Sequence, residues 1–106
     1  MSTITSQSNR REFYIGEKRW IKISVTDQLE GVQISSVSWA AESPVALVGG
    51  SSSIYTYATT NDSVRARFDF AGTTAGTRYT VTATITTADG EEIIESVIVV
   101  IKAVPT

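Results

Sequence analysis

Residues 78–102 read RYTVTATITTADGEEIIESVIVVIK, and this stretch decides the fold. From Tyr79 to Thr86 apolar residues alternate with threonine, a period of two that is typical of a strand with one buried face. Gly90 then closes an Ala-Asp-Gly turn in which it can take a positive φ, and the chain returns through the aliphatic run 93–101. We therefore predict a long antiparallel hairpin, with the rest of the chain packed onto it.

The composition supports one all-β domain built around this hairpin. Of the 106 residues, 42% are hydrophobic and 19% are charged, so the chain is too apolar to be disordered and long enough for one core. Thr, Ser, Val and Ile are abundant, and the β-branched residues among them favour strands. Turn signals recur about every ten residues, which is typical of a sandwich of short strands.

Alternating segments upstream of the hairpin predict the other strands. They lie at 12–15, 19–26, 33–41, 45–48, 54–59 and 63–70. Trp39 is the expected core tryptophan, and Tyr79 resembles the tyrosine corner of Greek-key sandwiches, whose hydroxyl bonds to upstream backbone. Ile34 is out of phase with Trp39, so either a bulge intervenes at 35–36 or Ile34 seals the other face. The predicted fold is an all-β, immunoglobulin-like β-sandwich of seven or eight antiparallel strands, with a core that includes Ile21, Ile23, Val37, Trp39, Phe68, Phe70, Tyr79, Val81 and Ile85.

The sequence divides into an N-terminal arm, residues 1–10, and one domain, residues 11–104. The arm is too polar to fold alone, and it is either idle or ordered by a partner. It lacks the apolar segment of a signal peptide, and no apolar run approaches the roughly 18 residues that span a bilayer. We therefore expect a soluble protein that is made in the cytoplasm and has no membrane partner.

Residue chemistry argues against an enzyme. The chain has neither histidine, the commonest general base, nor cysteine, the thiolate nucleophile. Its serines lack a G-x-S-x-G turn, and the loop 72–76 lacks the G-K-[ST] ending of a phosphate-binding loop. Asp89, Glu91, Glu92 and Glu95 do not follow the spacing of an EF-hand, so a solvated hairpin tip is favoured over a calcium site. We predict no catalytic residue, no cofactor and no metal, and the net charge of −2 gives no broad attraction to nucleic acid.

The charges are segregated along the chain. Five cations lie near the N-terminus, namely Arg10, Arg11, Lys18, Arg19 and Lys22. The four acids of the hairpin tip lie near the other end. Two explanations remain open: the patches dock copies or partners, or the first and last strands pair and bring the two groups together.

Two further features predict a protein-binding surface. Trp20 falls on the outward side of its strand, where a large aromatic needs cover from the first strand, the arm or a partner. The last strand is apolar on both sides, and one core can cover only one of them. We predict a binding surface that includes the arm and these residues: Arg10, Arg11, Trp20, Lys22, Ile93, Val97, Val99 and Ile101.

Three segments carry a family resemblance: ISSVSW at 34–39, AGTRYTVT at 75–82 and ITTADGE at 85–91. Over about 19–102 the chain resembles small virion proteins of tailed bacteriophages, the fibre–tail adaptor family, although its polar start is longer. The resemblance implies a non-enzymatic structural protein of the virion that joins a fibre or other appendage to the tail or neck. We expect other virion proteins of the tail, neck, fibre or capsid as partners. The segregated charge predicts multiple copies in the assembly, and the net charge predicts no nucleic acid.

Three alternatives to an adaptor stay open. Closely similar immunoglobulin-like domains decorate phage capsids, which makes a capsid decoration protein the first alternative. Tyr55 and Tyr57 fall on one strand face and, with Trp20, have the shape of sugar-stacking platforms, so a carbohydrate-binding module is the second. A hydrolase with paired acids is the third, and it is disfavoured because the acids fall mostly on turns and outward strand positions.

Overall fold

The structure, a computed structural model, describes residues 10–58 and 60–105. The strands are β1 Arg10–Tyr14, β2 Lys18–Ser24, β3 Ile34–Ala41, β4 Ala46–Leu47, β5 Ser53–Tyr55, β6 Ser63–Asp69, β7 Arg78–Thr87 and β8 Glu92–Lys102. A single helical turn, α1 Thr26–Leu29, joins β2 to β3, and no helix in the described ranges is long and apolar enough to cross a membrane. The predicted arm lies outside the described residues except for Arg10, which begins β1.

The eight described strands form two packed sheets. Sheet A has the order β1-β8-β7-β3, and sheet B has the order β2-β6-β4, with β5 also paired to β6. The second and sixth strands share one sheet while the third, seventh and eighth share the other, which is the division of an immunoglobulin-like sandwich. The predicted fold class is confirmed. One detail differs, because β1 runs parallel to β8 whereas the other pairs between described strands are antiparallel.

The predicted hairpin forms the middle of sheet A. Its ladder runs from Arg78 opposite Val100 to Thr86 opposite Glu92. Gly90 has a φ of +90° and donates its N–H to the carbonyl of Thr87 at 3.0 Å, so the turn uses the backbone freedom of glycine. Because β7 lies between β8 and β3, its strict alternation turns every second side chain into the core.

The core lies between the sheets and includes every residue that was predicted for it. Seven of the nine are buried: Ile21, Ile23, Phe68, Phe70, Tyr79, Val81 and Ile85. Val37 and Trp39 are partly buried and pack against the others. The Trp39 ring meets Phe68 edge-on with centroids 5.5 Å apart, and Trp39 Nε1 donates to Ser52 Oγ at 3.1 Å. Trp39 is therefore a core residue whose polar edge is satisfied at the rim.

Two local predictions are confirmed. The hydroxyl of Tyr79 accepts a hydrogen bond from the Thr74 N–H at 3.0 Å, which ties the loop between β6 and β7 to the start of β7 as in a tyrosine corner. The register of β3 against β7 shifts between Ile34 and Ser36, which marks the predicted bulge, and Ile34 is buried.

The structure corrects one prediction, that an exposed binding face includes Ile93, Val97, Val99 and Ile101. The last three are fully buried, and Ile93 is partly buried against the core. The physical reason is the hairpin register, since directly opposed residues of an antiparallel pair share a face. Val97 stands opposite Val81 and Ile93 stands opposite Ile85, and both partners are core residues. The exposed side of β8 is the other one.

Candidate docking surfaces

The outer face of sheet B carries most of the positive charge. Alternation in β2 buries Ile21 and Ile23 and exposes the residues between them. The same alternation in β5 and β6 turns aromatic and basic side chains outward. We call this surface the basic face and define it as Lys18, Trp20, Lys22, Tyr55, Arg65 and Arg67. Together with the adjoining Arg11 and Arg19, it gathers six of the nine Lys and Arg residues of the chain.

Three side chains stack at the centre of the basic face. The guanidinium carbon of Arg65 lies 5.2 Å from the ring centroid of Trp20 and 5.3 Å from that of Tyr55. Arg65 Nε also donates to Ser53 Oγ at 3.2 Å. Cation–π attraction to two rings holds the guanidinium in one place, and a guanidinium fixed in this way is preorganised to bind a carboxylate. Trp20 keeps 43% of its surface exposed, so the stack is open to a partner.

A groove of about 500 Å³ runs beside the stack, where the edges of the two sheets meet. It is lined by Arg11, Phe13, Arg19, Trp20 and Lys22. Arg11 Nη2 donates to the carbonyl of Lys22 at 3.2 Å, which connects β1 to β2. Arg19 lies 4.9 Å over the Phe13 ring, and its Nη1 is 3.4 Å from a carboxylate oxygen of Glu17. The groove therefore combines positive charge with aromatic surface, a pairing that suits an acidic polypeptide segment.

The structure brings only some of the predicted binding residues together. Arg11, Trp20 and Lys22 surround the groove, whereas Arg10 lies on the outer face of the other sheet, where its Nη2 is 3.3 Å from Glu12 Oε2. The four aliphatic residues of β8 belong to the core side. Their burial removes them from the exposed surface, and the binding role of the other four stays a prediction.

The first and last strands pair, but this pairing does not stack the basic residues on the hairpin tip. Because β1 is parallel to β8, Arg10 stands opposite Ile98 and the rest of β1 continues away from the turn. Glu95 instead accepts a hydrogen bond from Gln28 Nε2 at 2.8 Å. The basic face and the acidic tip are therefore separate surfaces, as the docking explanation of the charge pattern requires.

The acidic tip has its own internal order. The Thr87 hydroxyl donates to Asp89 Oδ1, and this hydrogen bond, the largest cause, lowers the pKa of the Asp89 carboxyl. The Thr87 hydroxyl oxygen accepts the Glu91 N–H at 3.0 Å, so Thr87 organises the turn from both sides. Across residues 10–58 and 60–105, no three His, Cys, Asp or Glu side chains gather as metal ligands.

The two tyrosines that sequence analysis placed on one face take different positions. Tyr55 ends β5 and joins the stack, whereas Tyr57 is 73% exposed in the following loop. Tyr57 lines a shallow polar groove of about 320 Å³ together with Ser24, Thr26, Asp27, Gln28 and Ala58. The structure therefore does not present the two rings as one flat platform.

Asp62 holds this loop in place, a role that the sequence pattern does not predict. Asp62 is fully buried, and its carboxylate accepts the N–H groups of Tyr57 and Ala58 at 2.7 and 2.8 Å. It also accepts the hydroxyl of Thr26 at 2.7 Å, which links the loop to α1. From the sequence Asp62 reads only as a turn residue, because nothing in the pattern shows which donors it meets.

The outer face of sheet A is uncharged at its centre. We call it the sheet A face and define it as Ser36, Ser38, Ala40, Thr80, Thr82, Thr84, Thr86, Ile94, Ser96 and Ile98. Ile94 and Ile98 are 64% and 36% exposed and form its apolar ridge. A shallow depression of about 230 Å³ lies across the sheet from this ridge, lined by Ala40, Ala41, Glu42, Thr80 and Thr82.

Comparison with known proteins assigns the chain to a family. The family profile described as podophage GP4 fiber-tail adaptor protein gp77 matches residues 15–100. The chain belongs to this family. The match confirms the resemblance found in the sequence, and it spans β2 to β7 and most of β8, including all six residues of the basic face. The protein is thus a member of a phage structural adaptor family of the virion.

The chain is also similar, at low sequence identity, to several solved structures. A 2,6-sialyltransferase of Photobacterium sp. JT-ISH-224 is 14% identical with a TM-score of 0.46, and the match covers 90% of this chain but 18% of that enzyme. Murine CRIg is 15% identical with a TM-score of 0.44, over 92% of this chain and 93% of CRIg. Amebosin is 11% identical with a TM-score of 0.37, over 92% and 94% of the two chains. No curated protein sequence matches the chain.

Proposed function

We propose that this podophage adaptor is a non-enzymatic virion protein that docks a fibre or other appendage to the tail or neck, and that the basic face is one of its docking surfaces. The observation that carries the proposal is the family match over 15–100, which includes that face. An adaptor must bind on one side while leaving another side free. The two outer faces of this sandwich are chemically different enough to bind different proteins.

The chemistry of the basic face defines the partner that fits it. Four cations surround Trp20 and Tyr55, and Asp69, which stands opposite Lys18 at the edge of this face, accepts the N–H of Ala71 at 2.9 Å. Such a surface binds an acidic protein surface, because aromatic anchors and arginine supply most of the binding energy while lysines steer the approach. The partner is therefore a virion protein that presents carboxylates.

Complementation of particles made without the native protein tests this proposal. We expect Trp20→Ala and Lys22→Glu to reduce the amount of adaptor or appendage per particle while the isolated variants keep the wild-type circular dichroism spectrum. Glu30→Lys is the control, since it reverses the charge of an exposed residue that follows α1 and belongs to neither outer face. Normal assembly by both basic-face variants would contradict docking through that face.

Copy number separates an adaptor from a capsid decoration protein. Quantitative mass spectrometry of purified wild-type particles gives the number of copies relative to the major capsid protein. A few to some tens of copies agrees with an appendage at the tail or neck, whereas hundreds of copies would show a capsid ornament. A glycan array on the isolated protein tests the remaining alternative, a carbohydrate-binding module. Strong sugar binding by the wild type that is lost in Trp20→Ala would indicate such a module instead of an adaptor.

A further inference from the structure

The sheet A face is the second large surface of this protein, and no residue within 10–58 or 60–105 covers its centre. Its four strands, about 4.8 Å apart with a rise of about 3.3 Å per residue, give a flat area on the order of 500 Å². Two such faces packed together would bury on the order of 1,000 Å² in total, which is about the minimum for a specific protein–protein interface. We propose that this face binds a second copy of the same chain, with the two sheets stacked face to face around a twofold axis.

The ladder register provides the first argument, because it arranges the charges at the rim in rows. Arg10 stands opposite Ile98, Ile98 stands opposite Thr80, and the N–H of Glu42 donates to the Thr80 carbonyl. One row therefore begins with a cation, crosses two uncharged residues and ends with an anion.

The next row has its charges in a complementary order. Glu12 stands opposite Val100, and Val100 stands opposite Arg78. This row begins with an anion on the same strand as Arg10 and has its cation on β7. Glu12 contacts Arg10 at 3.3 Å and Lys102 at 3.7 Å in the monomer, and these side chains are about half exposed.

The proposed twofold axis lies between the two stacked sheets, parallel to the strands and above the boundary between β7 and β8. It places each row of one copy over the same row of the second copy, in the reverse order. Arg10 of one copy then meets Glu42 of the second copy, and the reciprocal contact forms at the same time, as an isologous interface requires. In the neighbouring row Arg78 lies over β8 of the second copy, one strand away from Glu12 and one strand away from Arg78 of that copy. The pairing therefore rests on the reciprocal Arg10–Glu42 contact, which brings opposite charges together twice across the interface.

The shape of the face provides the second argument. The ridge on β8, Ile94 and Ile98, and the depression around Ala40 and Thr82 lie on opposite sides of the same axis. The same axis places the isoleucine ridge of each copy over β7 of the other copy, beside the depression that is lined by small side chains such as Ala40 and Thr82. The centre between them holds hydroxyl and methyl groups, such as Thr82 and Ser96, whose hydroxyls are 3.2 Å apart. Large side chains thus meet small ones on a self-complementary surface.

Charge reversal in purified full-length protein tests this pairing. Sedimentation velocity over a range of concentrations measures the dimer dissociation constant. Arg10→Glu and Glu42→Arg each place like charges opposite one another twice, so each should weaken the dimer by roughly tenfold or more. The double variant restores both pairs and should regain most of the wild-type affinity. Lys18→Glu, on sheet B, is the control and should leave the affinity unchanged.

Mixing provides the decisive arm of the same experiment. An equimolar mixture of the Arg10→Glu and Glu42→Arg proteins forms only opposite-charge contacts in the mixed dimer, so it should associate more tightly than either protein alone. A mixture no tighter than its components would overturn the proposed pairing. A wild-type protein that stays monomeric at the highest soluble concentration would also overturn it, and would assign the face to a different virion protein.

Discussion

The two outer faces of this sandwich are built from the same alternation but present opposite chemistry. Sheet B exposes cations around the Trp20, Arg65 and Tyr55 stack, whereas sheet A exposes hydroxyls around a ridge of two isoleucines. The core between them is built mainly from apolar residues of both sheets. The inward residues therefore specify the fold, and the outward residues are free to specify two different partners.

The difference between the faces also predicts how each one binds. Long-range charge makes association with the basic face fast and sensitive to salt, because exposed charges are screened beyond about 10 Å at 0.1 M salt. The sheet A face depends on shape and on a small number of charged pairs at its rim. The same protein can therefore hold two neighbours by contacts that respond differently to solution conditions.

The largest predicted effect tests which side of β8 faces the core. Changing Val97 and Val99 together to Thr places two hydroxyls in a fully buried position and should lower the free energy of unfolding by about 2–5 kcal/mol, because buried hydroxyls lose their water hydrogen bonds. Urea denaturation measures this change. The matched change of Ile94 and Ile98 to Thr, on the exposed side, should cost less than about 1 kcal/mol. Equal effects of the two double variants would contradict the assigned faces.

A second prediction concerns the loop that flanks the basic face. Asp62→Asn replaces one carboxylate oxygen by an NH₂ group, which cannot accept the N–H of Tyr57 or of Ala58 that this oxygen accepts, and should cost about 2–3 kcal/mol in unfolding free energy. Thermal denaturation of the variant measures the loss. Asp27→Asn, an exposed acid on α1, is the control and should stay within about 0.5 kcal/mol of wild type. A neutral result for Asp62→Asn would show that the buried carboxylate does not hold the loop.

Much of this arrangement could be predicted from sequence because strand alternation is a local signal. The hairpin, the bulge after Ile34, the core position of Trp39 and the hydroxyl contact of Tyr79 follow from period, phase and turn residues. The inward side of β8 was misassigned because both sides of that strand are apolar, so alternation alone does not choose between them. The register opposite Val81 makes the choice, and register is a property of the pair rather than of one strand.

The surfaces were less predictable because they depend on neighbours across strands. The sequence predicts that Trp20 faces outward, but the stacking of Arg65 on Trp20 depends on the register of β2 with β6. The stacking of Arg65 on Tyr55 depends on the register of β5 with β6. The buried contacts of Asp62 depend on a loop conformation that no short motif encodes. The family could be recognised from the sequence because its pattern extends over most of the chain. The stacked side chains of the basic face could not be predicted, because their contacts form between strands that are distant in sequence.

A third, smaller effect compares an arginine of each face. Arg65→Ala removes the cation–π contacts with Trp20 and Tyr55 and should lower the free energy of unfolding by about 0.5–1 kcal/mol. Arg78→Ala, on the exposed start of β7, should change it by less than about 0.5 kcal/mol. Chemical denaturation of both variants in parallel makes the comparison. An equal and negligible effect would show that the stack does not order the basic face.

The smallest effect is a pH dependence at the acidic tip. The hydrogen bond from Thr87 lowers the pKa of Asp89, so the stability it supplies is present above the unfolded-state pKa of about 3.9 and is lost as the pH falls through the folded-state value. An NMR titration should show the Asp89 carboxyl titrating at higher pH in Thr87→Val than in wild type. Thr86→Val, one residue away on the outward side, should leave it unchanged. A wild-type pKa at its ordinary value would contradict the contact.

The docking role of the basic face is tested most directly by a cryo-electron microscopy reconstruction of the intact particle at side-chain detail. The map shows which surface of this protein contacts other virion proteins. We expect Trp20 and Arg65 to be covered by a neighbouring virion protein, with its carboxylates within hydrogen-bonding distance of Arg65, Arg67 or Lys22. A reconstruction in which the basic face is open to solvent, with the appendage and the tail attached elsewhere, would contradict this account.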